Sequence, residues 1–199
     1  MEFENDIEID RLLGQRLKAA RQRHRLTLDG LAKRSGVSRA MISRVERGES
    51  SPTAALLVRL GSGLGLSLSA LLEEDAGTGP LARRDAQPVW RDPASGYLRR
   101  NVSPRRTGSG FEIVEVELPA GAEVRLDNAS GAPALDQQVW VLQGRLDLSV
   151  DGLLHELAEG DCLQMHLRGA IIYRNPGTTP VRYAVILAAK SGAFPGHIA

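Results

Sequence analysis

A single cysteine, Cys162, among 199 residues leaves no intramolecular disulfide to draw and excludes a disulfide-stapled scaffold. That usage fits a reducing compartment, and the cytoplasm is the expected location. No apolar run approaches the roughly 20 residues needed to cross a bilayer, so no membrane partner is expected. The first ten residues carry five acids (Glu2, Glu4, Asp6, Glu8, Asp10) and no base, unlike the basic and then apolar start of a secretory signal. Asn101-Val102-Ser103 and Asn128-Ala129-Ser130 match the glycosylation pattern, and without secretion both read as chance. There is no tandem repeat of the solenoid type. The run Gly61-Ser62-Gly63-Leu64-Gly65 has neither the strand before it nor the lysine after it that a phosphate loop requires.

What is present is an ordinary globular composition, 42% apolar and 25% charged, with a formal net charge of +1. The charge is unevenly placed. Residues 11–60 hold twelve Lys and Arg against only Asp29, Glu46 and Glu49. A basic block inside a nearly neutral chain is the electrostatic footprint of nucleic-acid binding.

Hydrophobic periodicity divides the chain in two. Leu13, Leu17 and Ala20 recur at helical spacing, as do Leu28, Leu31 and Ala32, then Val37, Ile42 and Val45. Leu56, Leu57, Leu60 and Leu64 give a fourth stripe, and Leu68, Leu71 and Leu72 a fifth. Thr27 and Ser38 are placed to cap helices two and three, and Ser51-Pro52 to open helix four. From Tyr97 onward the segments are short: Tyr97–Val102, Phe111–Leu118, Val139–Leu142, Leu146–Val150, Cys162–Leu167, Ile171–Arg174 and Val181–Leu187. Pro, Gly and Asn punctuate them about every ten residues, the signature of a β-sandwich or barrel. Asp151-Gly152 is a two-residue hairpin turn. The expected fold class is therefore α+β in two domains. Residues 1–10 form an acidic tail, 11–74 a five-helix bundle, 75–87 a linker, 88–188 an antiparallel barrel and 189–199 a tail.

The segment from Thr27 to Gly48 carries the chemistry. Ala32 allows two helices to approach, and Gly36 permits the left-handed turn between them. With Val37, Ile42 and Val45 facing inward, Arg39, Ala40, Met41, Ser43 and Arg44 are the candidates for base contact from a helix in the major groove. Arginine bonds guanine O6 and N7 bidentately, serine donates or accepts, and Ala40 or Met41 can touch a thymine methyl. Thr27, Lys33, Ser38 and Arg47 would hold phosphates, with Arg16, Arg21, Arg23 and Arg25 extending that contact. Residues 11–72 resemble the helix-turn-helix of the XRE (Cro/cI-like) regulators, through "LGQRLKAARQRHRLTLDG" and "LAKRSGVSRAMISRVERGESSPTAALLVRL". Gly30 departs from the pattern, where an acidic or bulkier residue is commoner.

Residues 88–188 resemble the cupin sensor domain that follows such a helix-turn-helix, through "VELPAG", "VWVLQGRLDLSVDG" and "LAEGDCLQMHLRGAIIYRNPGTTPVRYAVILA". The resemblance implies a jelly-roll barrel. It also places the metal-ligand positions of catalytic cupins at Gln137, at a histidine pair among Ser130, Gly131, Ala132 and Pro133, and at Ile171, relative to Gly144 and Asn175. None is a ligand of the usual type. His24, His155, His166 and His197 fall elsewhere, so no metal and no cofactor is expected, and the chain reads as a regulator and not an enzyme. By strand alternation Gln137, Val139 and Val141 share a face, as do Ile171 and Tyr173. A largely apolar effector pocket with Gln137, Tyr173, Gln164 and Arg99 as polar anchors follows. Trp90 and Trp140 are candidates for pocket wall, subunit contact or core, and Cys162 for a small buried hydrophobe. The implied partners are operator DNA, a small-molecule effector and a second copy of the chain. Two rival readings are a metal-dependent cupin enzyme with an accessory DNA-binding domain, and a repressor whose barrel only dimerises.

Overall fold

A computed structural model describes residues 2–72, 79–104, 110–128, 135–166 and 169–189. The chain divides into two compact units, one built mainly on residues 1–73 and the other on most of residues 74–199. No helix is long and apolar enough to cross a membrane among the described residues.

The first unit has five helices: α1 (Glu2–Arg23), α2 (Leu28–Ser35), α3 (Arg39–Glu46), α4 (Ala54–Leu64) and α5 (Leu68–Leu72). The residues expected as an acidic tail are instead the first turns of α1. No proline or glycine interrupts them before Gly14, and acids at a helix N-terminus complement its dipole. One core collects Leu17, Ala20, Leu31, Val37, Ile42, Val45, Leu60, Leu64 and Leu71, so each expected stripe contributes. The Thr27 hydroxyl accepts from Gly30 N and the Ser38 hydroxyl from Met41 N, satisfying donors that helix starts leave open. Helix four differs from expectation. Its cap is Thr53, which accepts from Leu56 N, so Ser51-Pro52 lies in the approach to the helix. Gly36 sits at φ 65°, ψ 16° and ends α2 in the left-handed conformation.

Among the described residues the second unit begins with a 3-10 turn at Arg84–Ala86 and continues in ten strands. A six-stranded sheet has the order β1 (Val89–Arg91), β2 (Leu98–Asn101), β3 (Phe111–Leu118), β10 (Val181–Ala189), β5 (Leu135–Gln143), β8 (Cys162–His166). A four-stranded sheet has the order β4 (Glu123–Asn128), β9 (Gly169–Arg174), β6 (Arg145–Val150), β7 (Leu153–Ala158). From β3 onward the chain passes back and forth between the sheets, which is the Greek-key winding of a jelly roll. The cupin-like architecture is therefore present as two sheets and not as one hydrogen-bonded closed barrel. The turn between β6 and β7 has Asp151 at φ 50° and Gly152 at φ 81°, the two positive values a type I′ hairpin needs. Strands β1 and β4 had no clear signal. β1 is three residues long, and β4 has only Val124 and Leu126 as apolar residues.

Alternation fixes the inner face. Val114, Val116 and Leu118 of β3, Val139 and Val141 of β5, Leu146 and Leu148 of β6, and Tyr183 of β10 are all buried. The expected histidine-pair positions Ser130–Pro133, part of the linker (residues 75–78) and residues 190–199 lie outside the described residues.

Candidate nucleic-acid interface and the core of the second unit

α3 is amphipathic by position. Ile42, Val45 and Glu46 are buried, while Arg39, Ala40 and Arg44 are exposed and Ser43 is half-buried. Met41 is half-buried too, packed against the core, which leaves Ala40 as the freely presented apolar group beside the two arginines. The Arg39 Nε lies 3.8 Å from Asp29 Oδ1, both side chains well exposed, so this pair contributes little.

Two contacts orient α3. Arg21 of α1 donates from Nε to Glu46 Oε1 at 2.6 Å and from Nη2 to Glu46 Oε2 at 2.8 Å. Its Nη1 reaches Leu26 O at 2.9 Å. The hydrogen bond to Glu46 raises the Arg21 pKa further against the opposing effect of burial. Arg21 was expected to extend the phosphate contacts, and it is engaged instead in fixing α3 through Glu46. Gly14 of α1 is the second contact, since a Cβ there would overlap the Val45 carbonyl oxygen. Below the turn, Arg59 of α4 donates to the carbonyls of Ser35 and Gly36, a cation on the exposed carbonyl end of α2. None of Gly14, Arg59 or the Arg21–Glu46 pair stood out in the sequence. The available signal was an acid, Glu46, four residues after Ile42 on the same helical face.

Among the expected phosphate holders, Thr27, Lys33, Ser38 and Arg47 are exposed. The hydroxyls of Thr27 and Ser38 are used as caps. Arg47 donates to both Glu49 carboxylate oxygens at 2.6 Å and to the Ser43 hydroxyl. That bonding raises the arginine's pKa and holds the Glu49 carboxyl below its ordinary value.

In the second unit Gln137, Val139, Val141, Ile171, Tyr173 and Arg99 all lie on the inner faces, with Gln137 3% and Arg99 5% exposed. Gln137 Nε2 donates to the Tyr173 hydroxyl at 2.6 Å, joining the two sheets through their interior. Tyr173 stacks on Tyr183, centroids 5.8 Å apart and planes 8° from parallel. Burial pushes both hydroxyls well above the usual tyrosine pKa. Gln164 corrects the expected pocket. It is exposed and pairs in register with Gln138 on the outer face, while Met165 takes the inward position. Cys162 is likewise exposed, opposite Trp140, because the β5 register gives Trp140, 45% exposed, to the outside. Trp90 is buried, edge-on to Tyr97.

Among the described residues, the positions where catalytic cupins hold a metal, Gln137 and Ile171, do not fit one. Gln137 is committed to Tyr173, and Ile171 is an apolar residue of the core. His166 pairs with Asp136 at 2.5 Å on the exposed side of its sheet. No group of three or more His, Cys, Asp or Glu is placed to bind a metal ion among the described residues.

Comparison with known proteins places these features together. A helix-turn-helix family model, HTH_3, matches residues 17–71. The HTH-type transcriptional regulator SutR of Escherichia coli K12 is 30% identical over 174 residues, spanning 87% of this chain and 92% of that protein. The crystal structure of an HTH_3 family transcriptional regulator from Vibrio cholerae aligns over 94% of this chain and 99% of its own, at 27% identity and a TM-score of 0.78.

Proposed function

The chain belongs to the HTH-type transcriptional regulators, here built from a helix-turn-helix unit and a jelly-roll unit, and from that premise we propose that it binds a palindromic operator as a homodimer and senses a small organic effector in its jelly roll. It acts by binding and not by catalysis. The observation that carries the reading is the division of α3. Its buried residues are tied to α1, and Arg39, Ala40, Ser43 and Arg44 are turned away from the core. An eight-residue helix reads only a few base pairs, so specificity calls for two copies on half-sites about one helical turn apart. The polar side chains Gln137 and Arg99 on inward faces of the jelly roll support an interior with polar as well as apolar walls. Under this reading an effector shifts DNA affinity by a coupling of roughly 1–3 kcal/mol.

The test is fluorescence anisotropy with duplex DNA from upstream of the protein's own gene, at fixed salt, against a scrambled duplex. Arg39→Ala and Arg44→Ala are each expected to cost about 1–3 kcal/mol on the specific duplex. Lys33→Ala should weaken both duplexes alike and flatten the salt dependence. Equal affinity of the unsubstituted protein for both duplexes would remove the claim of sequence readout, and light scattering of the complex gives the number of copies bound.

A further inference from the structure

The end of α3 is closed by its own backbone. Gly48 N donates to Val45 O and Glu49 N to Arg44 O, each at 2.9 Å. Gly48 stands at φ 69°, so these two returning bonds make the left-handed helix end that glycine favours. A Cβ on Gly48 would also come within 3.0 Å of the Arg11 Cα, so glycine is required there on two counts. The turn sets Glu49 beside Arg47, just past the last residue of the helix.

Glu49 occupies one side of the Arg47 guanidinium. Nε donates to Oε1 and Nη2 to Oε2, each at 2.6 Å, a two-point fork that fixes the plane of the group. The remaining nitrogen, Nη1, donates to the Ser43 hydroxyl. Arg39, Ser43 and Arg47 follow one another four residues apart and share a helical stripe. Arg47 therefore reaches back along α3, toward the end that enters the groove in this kind of docking. Both members of the Arg47–Glu49 pair are about half exposed, so the pair adds little to folding. Its effect falls on one hydroxyl.

A hydroxyl has one proton to give and two lone pairs to receive with. Arg47 fills a lone pair of Ser43, and among the described residues the hydroxyl's own proton has no acceptor. A charged donor on the oxygen strengthens that proton as a donor in turn. The guanidinium also repels the amino hydrogens of adenine N6 and cytosine N4. What suits the pair is a keto oxygen, guanine O6 or thymine O4.

We propose that Arg47 and Glu49 are positioning residues for base selection, orienting Ser43 to donate to a keto base, guanine or thymine, in preference to an amino base. The proposal rests on the base-reading role given to Ser43 above and names the class of base it selects. Serine by itself donates or accepts. The fork removes that choice.

The experiment exposes the full chain to duplexes carrying a randomised segment, at fixed salt, and sequences the bound fraction. Ser43→Ala, Arg47→Lys and Glu49→Ala are selected in parallel, with Arg39→Ala and Arg44→Ala marking the positions those residues read. The unsubstituted protein is expected to enrich a sequence with one position, and its symmetry mate, favouring guanine or thymine over adenine and cytosine about 2- to 10-fold. Ser43→Ala should level that position alone. Glu49→Ala and Arg47→Lys should at least halve the same preference, since lysine keeps the charge and lacks the fork. Arg47→Met should leave the log–log salt slope unchanged, whereas loss of a phosphate contact lowers it by about one. Circular dichroism verifies each fold, and Glu49→Ala, which keeps the backbone bond to Arg44, carries the test if an Arg47 variant fails to fold. A Ser43-dependent position that is untouched in Glu49→Ala and Arg47→Lys overturns the positioning role and leaves base reading by Ser43 standing. Preference for adenine or cytosine at that position overturns the keto class. A salt slope lower by one in Arg47→Met, with base preferences kept, makes Arg47 a phosphate contact and overturns the inference. An unchanged pattern in Ser43→Ala overturns it too and leaves readout by Arg39 and Arg44 intact. Absence of any enriched sequence overturns the base-reading role itself.

Discussion

Glu46 is the residue whose loss the helical unit should tolerate least. Its side chain is 6% exposed and that of its partner Arg21 is 12% exposed, so removing the carboxylate leaves the Arg21 guanidinium with its bond to Leu26 O and only partial access to water. Glu46→Ala is expected to destabilise the protein by about 1–3 kcal/mol, the range for losing charged hydrogen bonds at a part-buried site. Urea unfolding monitored by circular dichroism measures it. The combined change Arg21→Met with Glu46→Leu should recover most of the loss, because two apolar groups of similar size leave no charge unpaired. A double substitution as unstable as Glu46→Ala would show that shape and not charge pairing sets the cost.

At the scale of the element, the α2–α3 turn depends on one backbone conformation. Gly36 stands at φ 65°, and a Cβ there would meet Arg59 Nη2 at 2.9 Å. Gly36→Ala is expected to cost about 1–2 kcal/mol from the left-handed conformation. The crowding should add little, since the end of a flexible arginine can move. Chemical denaturation checks the loss, and an unchanged midpoint would argue against this geometry. Such elements were legible in the sequence because their causes are local. The caps Thr27 and Ser38, the Gly36 turn and the Asp151-Gly152 hairpin each lie within a few residues of what they stabilise. The cap of α4 differs because Ser51 and Thr53 can both cap a helix, with Ser the stronger by preference, and only the observed helix start chooses between them. Gln164 and Cys162 misled for a different reason. A period-two strand changes face with a one-residue shift, and β8 offers Leu163 and Met165 as the inward set. Gly14, Arg59 and the Arg21–Glu46 pair were silent because each acts across a distance in sequence that periodicity does not measure.

At the scale of the whole molecule, the interior tyrosines set an alkaline limit. A phenol held protonated by burial contributes its full stability below its unfolded pKa, near 10, and that contribution is lost as pH rises toward the folded pKa. Above pH 10 each of Tyr173 and Tyr183 should therefore reduce stability by up to about 1.4 kcal/mol per pH unit. Thermal melts from pH 8 to pH 11 should show a midpoint steady below pH 10 and falling beyond it. Tyr173→Phe should have a lower midpoint at neutral pH, because Gln137 loses its partner, and a shallower alkaline decline. An identical decline would place the titrating groups elsewhere. The division of α3 has a consequence on a longer timescale. Ile42, Val45 and Glu46 answer to the fold, Arg39, Ala40 and Arg44 are exposed, and Ser43 is half-buried beside them. Because the two sets barely overlap, descent with modification can rewrite the second while selection holds the first fixed. Under the base-reading role proposed for them, paralogues acquire new target sequences by drift on these positions without disturbing the residues that hold the fold.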